Sequence, residues 1–350
     1  MKVLEYKLNA VMAKARAIYG KRLTGADYNN LISCNDLSEA VSYLKSRTSY
    51  GDDLSSVNSS AADSGYIEFL IKKRAYNQFS NLCHYEMKFG EELYKYFIVK
   101  EEIKQILSCI RSIMLSNTDE YIIAIPQFYY KSLGIDMYKI AKAKSMSELS
   151  EALTGTPYCN IILNCLKDED CNYLDFENSF YNYFYEFEYN LVNKSCKGKS
   201  KKEAFDLLKM RADTGFIDTL YRLKKYFPKT ADETAKDIIP IHLTRFTPKQ
   251  INLIINAENA DEMLNILKGT VYKDYAEKIQ KSVWAEKAIQ ELNYKKYKHL
   301  LRFSTDPNVV MFCFMFLMDN EVNNLIHIIE AQRYSASQES MLSLLIGVGD

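Results

Sequence analysis

The chain has 350 residues, 47% of them apolar, and 45 basic against 45 acidic side chains, so its formal net charge is zero. That length supports two or three cores, the apolar share argues against disorder, and the charge balance removes the global basic field that would draw nucleic acid. Twelve Gly and six Pro are too few for the turns of an all-β protein, which favours helices.

The opening stretch "MKVLEYKLNAVMAKARAIYGKRL" has no uninterrupted apolar run and no small-residue cleavage site, so it does not read as an export signal. Leu4, Leu8, Val11, Met12, Ala15 and Tyr19 follow helical spacing instead. The eight cysteines stand at 34, 83, 109, 159, 165, 171, 196 and 313 without a CxxC pair. Scattered thiols of this kind suit a reducing cytoplasm. Cys159, Cys165 and Cys171 are the nearest approach to a metal set, but their six-residue spacing matches no common zinc pattern.

Three segments repeat one plan. "LSEAVSYLKSRTSY" (37–50), "MSELSEALTGTPY" (146–158) and "ADEMLNILKGTVY" (260–272) each carry a polar residue able to cap a short helix, an apolar face, a Gly or Thr break and a Tyr that plugs the joint. Glu39, Glu148 and Glu262 correspond, as do Leu44, Leu153 and Leu267. A second element repeats as well. Ile103, Ile106, Leu107 and Ile110 stand at i, i+3, i+4, i+7, and adding 219 to each gives Val322, Leu325, Ile326 and Ile329. Between them, Phe216, Leu220, Leu223 and Phe227 form a displaced stripe. A period near 110 predicts an all-α chain of three helical repeats, 1–115, 116–227 and 228–350, with all six prolines at helix ends. The stretch "NKSCKGKSKK" (193–202) reads as a polar, basic loop. "EYIIAIPQFYY" is β-rich locally but too short and Pro-interrupted to assign. Val309 to Met318, ten apolar residues, falls short of the roughly 20 needed to cross a bilayer and predicts a buried piece leading into a half-buried helix.

Chemistry is sparse. The "GKS" at Gly198 to Ser200 has Asn193 where a phosphate loop needs Gly, so no nucleotide site is expected. His84, His242, His299 and His327 are dispersed, His327 reading as a packed or rim residue and His84 as facing away from its neighbour Cys83. The aromatic run "FENSFYNYFYEFEYN" (176–190) carries Glu177, Glu186 and Glu188, the wrong sign for a phosphate backbone, and reads as a packing face. No catalytic residue, cofactor or metal is expected. An enzyme built on those three glutamates, and a scaffold for an unrelated protein, are the rival readings.

With these elements in place the sequence resembles the C subunit of bacterial and archaeal V/A-type rotary ATPases, which corresponds to the d subunit of eukaryotic vacuolar ATPases. The likeness is carried by "NAVMAKARAIYGKRLTGADYNNLISCNDLSEAVSYLKSRTSY", by "SELSEALTGTPY" and by "FMFLMDNEVNNLIHIIEAQRYS", where Glu321, Val322, Asn324 and Leu325 match the family's last signature. The family's Asp-x-x-Asn in the first two core helices reads here as Glu102 with Gln105 and Asp213 with Phe216. The resemblance implies three similar helical bundles forming a funnel about a pseudo-threefold axis. It implies a non-catalytic adaptor between the soluble central stalk and the membrane rotor ring, cytoplasmic and peripheral, with no membrane span of its own. Lys197, Lys199, Lys201 and Lys202 are then the candidate partner-binding residues.

Overall fold

The structure is a computed structural model that describes residues 2–59, 63–85, 89–118, 133–168, 170–227 and 243–348, without the side chains of 2–9 and 84–93. His84, His242, Pro126, Pro228, Pro240 and the segment 120–130 lie outside the described side chains or residues. All-helical structure is expected and is found: the described residues contain no β-strand. The helices run α1 Lys2–Gly20, α2 Gly25–Ser33, α3 Leu37–Arg47, α4 Ser64–Tyr85, α5 Phe89–Met114, α6 Met137–Lys142, α7 Met146–Ala152 and α8 Pro157–Cys165. They continue as α9 Tyr173–Ser195, α10 Gly198–Tyr226, α11 Pro248–Asn256, α12 Ala260–Lys268, α13 Lys273–Gln280, α14 Ala285–Phe303, α15 Pro307–Arg333 and α16 Gln338–Leu344. Pro157, Pro248 and Pro307 each open a helix, where the missing N–H costs nothing.

The chain divides into two compact units, 1–91 with 286–350, and 92–285. In the first, α15 is the core helix, with α1 and α4 packed along it. Asp306 caps it by accepting from the Asn308 and Val309 amides at 3.0 and 3.1 Å. Every residue from Val309 to Met318 is buried except the half-buried Phe316. Because α15 runs on to Arg333, it is long and apolar enough to cross a membrane, and the short apolar run alone does not decide the matter. What decides is burial: 67% of its most apolar 18-residue window is covered by the protein itself. Further along, Leu325 (1% exposed) and Ile329 (2%) face the core as expected, but Val322 and Ile326 are only half-buried. Asn324, Ile328, Ala331 and Gln332 complete the buried face instead. The stripe is rotated from its expected phase because the preceding run is apolar on all sides and fixes no phase.

After α16 the tail returns across α15. Asn324 accepts from the Ile346 amide at 3.0 Å and donates to its carbonyl at 2.8 Å. Gly347 follows at φ +75°, and a Cβ there would stand 2.4 Å from the Tyr294 ring, so only glycine fits.

In the second unit, Ile103, Ile106, Leu107 and Ile110 of α5 are all buried, as their spacing predicts. On α10 the buried face is Phe216, Ile217, Leu220 and Tyr221. Leu223 is half-buried and Phe227, which caps the end of α10, is 62% exposed, so the expected stripe stops one turn early. The basic segment 193–202 is also not a loop. It is the end of α9 and the start of α10, broken only at Cys196 and Lys197, with Gly198 at φ +56° supplying the turn. Lysine is a good helix former, and Lys199 pairs with Glu203 one turn on at 3.6 Å. Polarity alone therefore mistakes a solvated helix end for a loop.

Candidate functional site

The three repeated segments fold alike. The caps stand one residue before each segment rather than inside it: Asp36, Ser145 and Asn259 cap α3, α7 and α12, accepting from the amides of Glu39, Glu148 and Glu262 at 2.9, 3.2 and 2.9 Å. Those three glutamates reach back to the amides of Asn35, Lys144 and Glu258 at 2.8, 2.8 and 2.6 Å. The corresponding glutamates are therefore capping residues. After each helix a threonine, Thr48, Thr156 or Thr270, donates to the carbonyl of Leu44, Leu153 or Leu267 at 2.7 Å, in all three cases. That bond turns the chain and sends the next side chain but one inward. Tyr50, Tyr158 and Tyr272 are 3%, 2% and 1% exposed, the plugs expected of them.

Each tyrosine ends on a carboxylate of a core helix. Tyr158 donates to Glu102 of α5 at 2.6 Å, Tyr272 to Asp213 of α10 at 2.6 Å and Tyr50 to Glu321 of α15 at 2.7 Å. Each carboxylate also accepts a backbone amide: Gly134 on Glu102 at 2.6 Å, Arg245 on Asp213 at 2.9 Å and Leu23 on Glu321 at 3.0 Å. Asp213 takes a third bond, from the Thr244 hydroxyl. The amide and the tyrosine are 27 positions apart in two of the joints (272−245 and 50−23) and 24 apart in the third (158−134). In two cases the acid precedes its tyrosine; in the third it follows by 271 positions. Glu102, Asp213 and Glu321 are thus equivalent members of one repeated joint. Pattern matching along the sequence picks out all three without giving them a role. A signal for the role is nonetheless present, because the offset of 219 that matches the two core stripes also carries Glu102 onto Glu321.

Burial pushes all three carboxyls above their ordinary range, against donated hydrogen bonds that act the other way. Burial likewise raises the tyrosine hydroxyls, assisted by the carboxylates beside them. The folded state therefore holds the carboxyl proton more tightly than the unfolded chain. The stability from this source is complete below about 4.5 for a glutamate and is lost as pH rises through the raised folded value. Glu321→Gln removes that titration and sets an amide NH2 against the Leu23 amide or the Tyr50 hydroxyl. The stability advantage of the unaltered chain over Glu321→Gln should accordingly be larger at pH 5 than at pH 8, read as melting temperatures; the opposite order would refute the assignment.

The remaining candidates separate. Glu188 is fully buried and is held by Tyr96 at 2.8 Å and by Arg211, while Glu186 is exposed and Glu177 half-buried, so the three glutamates do not converge. Lys197, Lys199 and Lys202 are exposed around the α9–α10 break, and Lys201 lies 5.8 Å over the Phe205 ring. Among the described residues no group of three His, Cys, Asp or Glu has the geometry to hold a metal. His327 is half-buried at the rim of the α15 core.

Of the four signature positions, Glu321 forms the acid joint, Asn324 pins the tail, Leu325 is core and Val322 packs against its edge. The chain is similar to the d subunit of a V-type proton ATPase of Dictyostelium discoideum, 23% identical over 327 residues that cover 91% of this chain and 88% of that one. It is also similar to the C subunit of an A-type ATP synthase of Thermococcus onnurineus (strain NA1), 22% identical over 321 residues, covering 89% and 83%. The pattern of the ATP synthase (C/AC39) subunit family matches residues 11–344, nearly the whole sequence, and the chain belongs to that family.

Proposed function

We propose that this chain is the non-catalytic adaptor of a V/A-type rotary ATPase or ATP synthase, linking the soluble central stalk to the membrane rotor ring and carrying rotation between them. In this reading its three repeats form a funnel about a pseudo-threefold axis, and it lies on the cytoplasmic face, held to the membrane through the ring. It binds neither nucleotide nor nucleic acid. The observation that carries the reading is the triple joint: three times, a capped short helix, a turn-making threonine and a buried tyrosine are fixed to a core-helix carboxylate. A part that transmits torque must not yield, and close-packed helices with hydrogen-bonded joints resist deformation. The names of the two relatives point to the same assembly. Affinity capture from solubilised membranes should recover the rotor ring together with stalk subunits, and recovery of neither would overturn the proposal.

Within that assembly Lys197, Lys199, Lys201 and Lys202 form a basic knuckle where two long helices meet, a surface suited to an acidic partner. Reversing all four to Glu should weaken assembly at physiological salt while leaving the melting temperature within about 2 °C, since exposed charges contribute little to stability. Unchanged assembly would remove this knuckle from the interface.

A further inference from the structure

Of the three cysteines spaced six residues apart, the fold brings two together. Cys165 is the last residue of α8, and Cys171 stands directly before Asn172, the residue that caps α9. The two helices pack as a hairpin. At the start of α8 the Tyr158 ring meets Phe180 and Tyr183 of α9, at 6.1 and 5.6 Å between centroids. At its end the Cys165 sulfur lies 3.3 Å from the Ser179 hydroxyl and 3.9 Å from the Asp175 carbonyl. Two successive turns lead from one cysteine to the other: the Asp168 amide donates to the Cys165 carbonyl at 3.1 Å, and the Cys171 amide to the Asp168 carbonyl at 3.2 Å. Cys159 is left out. Six residues at about 100° and 1.5 Å each set it on a different face of α8, about 9 Å back along the axis.

The Cys171 thiol lies within hydrogen-bonding reach of Cys165. Burial most of all, then the Cys165 thiol and the Asp175 and Asp168 carboxylates, push Cys171 above the ordinary thiol range. Cys171 is therefore held as a neutral thiol at neutral pH, which leaves Cys165 to attack an oxidant first. Both sulfurs are free and half-buried, within reach of a small solute, whereas Cys83, Cys109, Cys196 and Cys313 are buried.

We propose that hydrogen peroxide converts Cys165 and Cys171 into a reversible disulfide that bolts the closed end of the α8–α9 hairpin. The Cys165 thiolate attacks one peroxide oxygen, the O–O bond breaks, and the sulfur becomes a sulfenic acid as water leaves. The Cys171 sulfur then displaces the hydroxyl, forming the S–S bond and a second water. Two electrons pass from the sulfurs to the peroxide, and the two thiol protons end in the two waters. A dithiol reductant reverses the step and is itself oxidised to a disulfide. In a reducing compartment such a bond is transient and answers to oxidant. Tyr158, bonded to Glu102, stands two turns before Cys165, so the oxidised α8 is fastened at both ends.

The test treats the native full chain with hydrogen peroxide, alkylates the remaining thiols and digests the monomer band with trypsin. Cleavage after Lys144, Lys167 and Lys194 parts the peptide 145–167, bearing Cys159 and Cys165, from 168–194, bearing Cys171. The two should run as one linked species, lighter than their sum by two hydrogens and split by dithiothreitol. Cys159→Ser should leave the link intact, and Cys165→Ser should abolish it. Cys171→Ser should abolish it too and leave a sulfenic acid on Cys165 that dimedone traps. The oxidised chain should melt about 3 °C or more above the reduced one, because closing the loop from 165 to 171 restricts the unfolded state. No link in the native chain, a link that survives Cys165→Ser, or a melting temperature that fails to rise would overturn the proposal.

Discussion

Asp213→Ala is expected to cost about 3–5 kcal/mol, measured by urea denaturation. The carboxylate is fully buried and takes three donors from three places, the Thr244 hydroxyl, the Arg245 amide and the Tyr272 hydroxyl. Alanine leaves all three without an acceptor, and an unsatisfied buried donor costs far more than a made bond gains. Tyr272→Phe removes one donor and leaves the acid two, so about 1–2 kcal/mol should be lost there. The two changes share an interaction, and the double variant should be less damaged than the sum. A loss below about 1 kcal/mol for Asp213→Ala, no more than one ordinary hydrogen bond, would mean that the joint does not hold the fold.

Leu325→Ala should cost about 2–5 kcal/mol through the cavity it leaves in the buried cluster that also holds Leu31, Leu44, Ile71 and Ile329. Val322→Ala, three positions earlier in the same family signature, should cost clearly less, since Val322 only borders that cluster. The contrast tests the rotation of α15. If Val322→Ala proved the more damaging, the helix would present the face that simple periodicity predicts.

What is legible in the sequence is local. A glutamate, a leucine, a threonine and a tyrosine fall within some fourteen positions of one another, so Leu37 to Tyr50 can be matched to Met146 to Tyr158 and Ala260 to Tyr272 by inspection, while the caps Asp36, Ser145 and Asn259 lie just outside those matches. The apolar period of α5 is equally plain. What escapes is the other half of each joint. Glu102, Asp213 and Glu321 lie 56, 59 and 271 positions from their tyrosines, beyond the reach of any helical period. An acid beside an apolar stripe also reads by default as facing solvent, whereas here it is turned inward and satisfied. The end of α10 misleads for a related reason: Phe227 continues the pattern in sequence, but the helix has stopped at Tyr226 and leaves the ring in water.

The joint at Glu321 has a consequence for how the protein is made. During synthesis Tyr158 and Tyr272 emerge after the acids they need, and each can dock as soon as it leaves the ribosome. Leu23 and Tyr50 must wait for a carboxylate translated 298 and 271 residues later. Until then α2 and α3 have a finished local shape with nowhere to set it down. The first unit therefore closes last, and a ribosome stalled before Glu321 would release a chain whose α2 and α3 are still open to proteases and to unwanted partners.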